Sequence, residues 1–113
     1  MKKPYRIFTL LITFISSLTS FASVLPTGFT EKRLATGLDP TGMAVVPDGR
    51  IFVTIKSGKV LIIKNDVLLS TPLLTIPNVD NFNERGLLTL VLDPAFATNN
   101  FIYVYYTFKN TGT

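Results

Sequence analysis

No stretch of this chain carries the 3.6-residue period of an amphipathic helix. From Phe29 onward, short runs rich in Val, Ile, Leu, Phe and Tyr alternate with clusters of Pro, Gly, Asn and Asp. That punctuation restricts the chain to an all-β fold. Residues 29–35 (FTEKRLA) alternate imperfectly and read as an edge strand. Residues 43–46 (MAVV) form an apolar run of the kind buried on both faces. Pro47-Asp48-Gly49 is a turn, because Pro fits its second position and Gly accepts positive φ. Residues 50–55 and 59–64 are strands separated by the Lys56-Ser57-Gly58 turn. Residues 67–70 and 72–76 form a broken fourth strand after Asn65-Asp66. A polar loop spans 77–85, a second doubly apolar run spans 86–92, and a longer turn spans 93–100. Residues 101–108 (FIYVYYTF) are a strand rich in aromatic and β-branched side chains.

Two segments share a grammar. Residues 43–55 read as apolar run, turn, strand, and residues 87–107 repeat that order with a longer turn. Met43 and Leu88 are 45 positions apart, and Phe52 and Tyr103 are 51 apart. This is the period of propeller blades, in which a four-stranded antiparallel sheet repeats around an axis. The innermost strand is crowded by neighbours on both sides, which explains its all-apolar composition. Residues 41–76 then make one blade and 86–108 the two inner strands of the next. A β-sandwich and a two-sheet β-barrel are the alternatives. A propeller needs at least four blades to close, so the chain is expected to be part of a longer product.

Residues 1–22 read as a secretory signal: basic residues Lys2, Lys3 and Arg6, an apolar stretch over 7–15, then small and polar residues. Ser20 and Ala22 occupy the small positions before an expected cut ahead of Ser23. The apolar stretch is too short to span a bilayer, which takes about 20 residues. No membrane span is expected after cleavage. The alternative is an uncleaved N-terminal anchor. The expected location is periplasmic or extracellular. Lys2, Lys3 and Arg6 supply three of the eleven basic residues, which leaves eight against seven acidic. The rest of the chain therefore offers no electrostatic case for nucleic acid. It has no Cys and no His. That excludes disulfides, thiol nucleophiles, the usual zinc sites and a Ser-His pair within these residues.

Residues 26–107 resemble the start of the glucose/sorbosone dehydrogenase family. The resemblance lies in Leu38-Asp39-Pro40-Thr41-Gly42-Met43-Ala44, in Pro47-Asp48-Gly49-Arg50 and in Gly58-Lys59-Val60. Its most specific part is Glu84-Arg85-Gly86-Leu87-Leu88, followed by Asp93-Pro94-Ala95-Phe96 and Tyr103-Val104-Tyr105-Tyr106. The family implies a secreted six-bladed β-propeller, of which this chain holds the first blade and part of the second. It implies pyrroloquinoline quinone (PQQ) and calcium as cofactors, a sugar as substrate, and a His as catalytic base. Sugar dehydrogenases of the family carry Gln where this chain has Glu84; non-enzymatic relatives also carry Glu-Arg-Gly there.

The candidate cofactor-binding residues are Glu84 and Arg85, at the end of the loop that feeds the inner strand of the second blade. Arg85 would fork onto carboxylates and Glu84 would accept from an N–H or hydroxyl. The competing reading has both residues fixing the loop. Gly86 is read as a close-packing residue. Asp80, Asn81 and Asn83 offer oxygen ligands but lack the spacing of a calcium loop, so a solvated turn is expected there. Asp48-Gly49 and Asp93-Pro94 are read as turn chemistry, Lys56 and Lys59 as solvated turn ends, and the aromatics of 101–106 as core. The expected function is a secreted PQQ-dependent sugar dehydrogenase, whose base and calcium ligands are not among these residues. The alternative is a secreted, non-catalytic propeller that binds a carbohydrate or a protein.

Overall fold

A computed structural model describes residues 24–110. The signal reading of residues 1–22 lies outside the described residues. By its contacts the chain divides at Glu31. Of the first unit, residues 24–31 are described: an exposed stretch with a turn closed by the Phe29 N–H donating to Pro26 O at 3.1 Å.

The second unit is all-β apart from one helical turn. A first sheet is an antiparallel meander of β1 (Pro40–Val45), β2 (Ile51–Ile55) and β3 (Lys59–Lys64). Two short pieces complete it, β4 (Val67–Leu68) and β5 (Leu74–Thr75), both paired antiparallel to β3. Leu69 N–H and Leu73 N–H bond to Ile62 O and Val60 O between them. The two pieces are thus one interrupted fourth strand, as the sequence implies. Asn65 and Asp66, both at positive φ, make the two-residue hairpin turn that joins β3 to β4. The second sheet is a hairpin of β6 (Leu87–Leu92) and β7 (Ile102–Tyr106). Its connection holds α1 (Phe96–Asn99), a single turn and too short to leave a helical period in the sequence.

The sheets meet through β1 and β2 against β6. Val46, Phe52, Val60, Leu87, Leu90 and Phe96 form the buried core between them, flanked by Ala44, Ile62, Leu92, Ile102 and Val104. Strand alternation puts each set on one face of its sheet. The Phe52 and Phe96 rings meet edge to face at 6.2 Å. A complete four-stranded-type sheet packed through its inner strands against the two-stranded hairpin of the next is the geometry of adjacent blades.

Three expectations are corrected. Residues 29–35 form no strand. The consecutive charges Glu31-Lys32-Arg33 leave no apolar face to bury, and Lys32 pairs with Asp66 instead. The inner strands are buried on one face only: Met43 and Val45 are 63% and 62% exposed, because no described element covers that side of β1. The aromatics of β7 do not pack in the core either. Tyr103 and Tyr105 point away from the first sheet and are exposed, while Ile102 and Val104 turn toward it.

Candidate functional site

The loop over 77–85 runs between the two sheets' strand ends and is pinned at several points. Val79 forms a bridge with Phe108, Asp80 N–H donates to Thr107 O at 2.8 Å, and Lys109 N–H donates to Asn78 O at 2.7 Å. The chain entering the loop is thereby held against the chain leaving β7. At the other end, Thr107 N–H donates to Gly86 O at 2.9 Å.

Glu84 is exposed and has no hydrogen bond or ion pair with any described residue. Arg85 is engaged within its own loop. Its Nη1 lies 2.8 Å from Asp80 Oδ2, its Nε donates to Phe82 O at 3.3 Å, and its guanidinium sits 5.3 Å over the Phe82 ring. The Arg85 side chain is still 50% exposed, against 19% for Asp80. A guanidinium carries five donors, so these contacts leave donor capacity facing solvent. The sequence placed Glu84 and Arg85 at one loop end. The structure keeps them there, with Arg85 oriented by a carboxylate and a ring that the sequence had not assigned to it.

Asp80 is spent on that orientation: Oδ2 pairs with Arg85, and Oδ1 accepts from Phe82 N–H at 3.2 Å. Among the described residues no group of three or more His, Cys, Asp or Glu gathers as a metal site.

Gly86 explains how closely the loop can approach the first sheet. It sits at φ +152°, and a Cβ there would lie 2.7 Å from both Lys56 O and Lys56 Cγ. Only glycine fits without displacing backbone. Leu87 N–H then donates to Lys56 O at 3.0 Å. Thr41 and Thr54, which the sequence reading missed, complete the junction. Thr41 Oγ1 donates to Leu87 O at 2.6 Å and lies 3.0 Å from Thr54 Oγ1. Thr54 is fully buried and reaches Gly42 O at 3.1 Å. The signal was present: Thr54 is the polar member of an inward set with Phe52, and a buried hydroxyl must have partners.

A second polar cluster lies at the far ends of the strands. Asp93 accepts from Ala95 N–H and Asn99 Nδ2 on one oxygen and from the Tyr103 hydroxyl at 2.6 Å on the other. The Tyr103 bond, then the Ala95 and Asn99 bonds, hold the Asp93 carboxyl below its ordinary value. The same bond raises Tyr103 above its own. Asp48 is likewise lowered, first by the Arg50 N–H and further by the Arg50 side chain. Both carboxylates organise turns, as the sequence implies. A cleft of about 290 Å³ opens at this far end, lined by Arg50, Phe52, Leu74, Phe96 and Ile102. It is separate from the Glu84–Arg85 loop. Among the described residues no helix is long and apolar enough to cross a membrane.

The sequence model of the Glucose / Sorbosone dehydrogenase family matches residues 38–113. No curated protein matches the chain significantly. Among solved structures, the PQQ-bound aldose sugar dehydrogenase of Streptomyces coelicolor superposes with a TM-score of 0.62 at 29% identity. The match covers 68% of this chain and 24% of that one. This chain thus spans about a quarter of that enzyme's length. The span matched by the family model takes in both sheets and the loop that carries Glu84 and Arg85.

Proposed function

The chain belongs to the glucose/sorbosone dehydrogenase family, and on that premise we propose that it serves a PQQ-dependent oxidoreductase acting on the hydroxyl groups of sugars. The observation that carries this reading is the family match running through an exposed Glu84–Arg85 pair at the entrance to an inner blade strand. The donors fit an anionic quinone. Arg85 keeps unused N–H groups facing solvent and is aimed by Asp80 and Phe82. Glu84 is free to accept from a ring N–H or a hydroxyl. When bound, PQQ supplies the hydride acceptor that no side chain provides.

The role of this chain's own residues is binding and orientation. Arg85 would hold a carboxylate of the cofactor by charge-assisted bonds, and Glu84 would accept from an N–H or a hydroxyl. The base that the family resemblance implies is a histidine, and the chain has none, so a base of that kind is not among these residues. Calcium enters the proposal from the family alone; Asp80 is already committed to Arg85 and to Phe82. Export rests on the leader over 1–22, and the site of action is the periplasm or the outside of the cell. N-terminal sequencing of exported protein should begin at Ser23; retention of Met1 would remove this part of the proposal.

The full-length protein, incubated with PQQ and calcium, should reduce an artificial electron-accepting dye when an aldose is added. Neither the cofactor-free protein nor PQQ alone should do so. Tight PQQ binding without turnover on a panel of aldoses and ketoses would place the protein with non-catalytic propellers, a reading that Glu84 in the place of Gln favours.

A further inference from the structure

The junction between the sheets contains more hydrogen bonding than apolar packing requires. Thr54 is fully buried on the face that also carries Phe52 and Val60, where a valine would fill the same volume without a hydroxyl to satisfy. Its partner Thr41 lies 3.0 Å away, hydroxyl to hydroxyl, and 3.3 Å from Thr54 O. Each hydroxyl has one proton to give. The 2.6 Å contact assigns that of Thr41 to Leu87 O. The proton of Thr54 goes to Gly42 O or to Thr41 Oγ1. Leu87 N–H is held as well, by Lys56 O. Both backbone polar groups of Leu87 therefore engage the first sheet, and Gly86 is seated directly against Lys56. The next two residues back along the chain are Arg85 and Glu84.

We propose that Thr41, buttressed by Thr54, is a positioning residue that sets the direction in which Glu84 and Arg85 face their ligand. Thr41 acts through Leu87 and Gly86, which form the fixed end of the 77–85 loop. The proposal rests on the cofactor role given above to Glu84 and Arg85. A residue that only held the sheets together would alter stability, whereas a positioning residue also alters affinity in molecules that are fully folded.

The test uses the full-length protein with PQQ and calcium, titrated well below the melting temperature of every variant. Thr41→Val should weaken PQQ binding about threefold to tenfold, the effect of one neutral hydrogen bond. Thr41→Ser keeps the hydroxyl and should bind as wild type does. In an Arg85→Ala background, Thr41→Val should add little further loss, because residues acting through one another are not additive. Amide exchange gives an independent readout: the Arg85 and Leu87 N–H groups should exchange faster in Thr41→Val and recover in Thr41→Ser. Unchanged affinity in Thr41→Val, or full additivity with Arg85→Ala, overturns the proposal. If wild type binds no PQQ, the functional reading fails separately. Exchange then decides: unchanged protection of Arg85 and Leu87 in Thr41→Val overturns the clamp, and lost protection that serine restores upholds it.

Discussion

At the scale of single residues, Gly86 carries the sharpest steric demand. Its positive φ and its contact with Lys56 O both exclude a side chain. Gly86→Ala should destabilise the folded protein by about 1–3 kcal/mol, read as a lowered denaturant midpoint at unchanged slope. A neutral outcome would mean that the loop sits further from the first sheet. Asp93 and Tyr103 permit a titration test. The lowered Asp93 carboxyl adds stability that is present above the ordinary value of 3.8 and is lost as pH falls through the lower folded value. The raised Tyr103 hydroxyl adds stability that is present below the ordinary value of 10.0 and is lost as pH rises through the higher folded value. Tyr103→Phe removes the largest cause of the Asp93 shift. Carbon-detected NMR should then find Asp93 titrating closer to its ordinary value. The roles of Asp48 and Asp93 as turn formers were legible from their Pro and Gly neighbours. The Tyr103–Asp93 bond was not, since its partners are ten positions apart and meet only when the β6–β7 hairpin closes.

At the scale of elements, short apolar and β-branched runs bounded by turn residues sufficed to place β2, β3 and β7, and the Asn65-Asp66 turn fixed the β3–β4 register. Such runs could not tell one-sided from two-sided burial. A continuous apolar run such as residues 43–46 looks the same whether one neighbour or two covers it. The structure leaves Met43 and Val45 open on one side of the first sheet, and Val91, Tyr103 and Tyr105 open on the far side of the second. Apolar faces of this kind drive association when nothing covers them. The polypeptide 23–113 in isolation should therefore self-associate or melt without a sharp transition. A monomeric sample with a cooperative thermal transition would show that these faces tolerate water.

At the scale of the whole molecule, two sheets joined through their inner strands place the 77–85 loop at one end of the blade junction and the 290 Å³ cleft at the other. The resemblance of Glu84-Arg85-Gly86-Leu87-Leu88 to the family's motif singled out the loop end as the candidate site. What they left open was whether Arg85 has donors to spare. Its partly exposed pair with Asp80 is worth about 1 kcal/mol, whereas a desolvated charge-assisted bond to a ligand carboxylate is worth about 1.5–3 kcal/mol. The ligand contact should dominate. Calorimetric titration of PQQ, with calcium, into full-length wild type and Arg85→Ala tests this most directly. Wild type should bind, and Arg85→Ala should bind about tenfold or more weakly while its cofactor-free melting temperature stays close to that of wild type. Equal affinities combined with a lower melting temperature for Arg85→Ala would contradict the account and leave Arg85 as a residue that only fixes its loop.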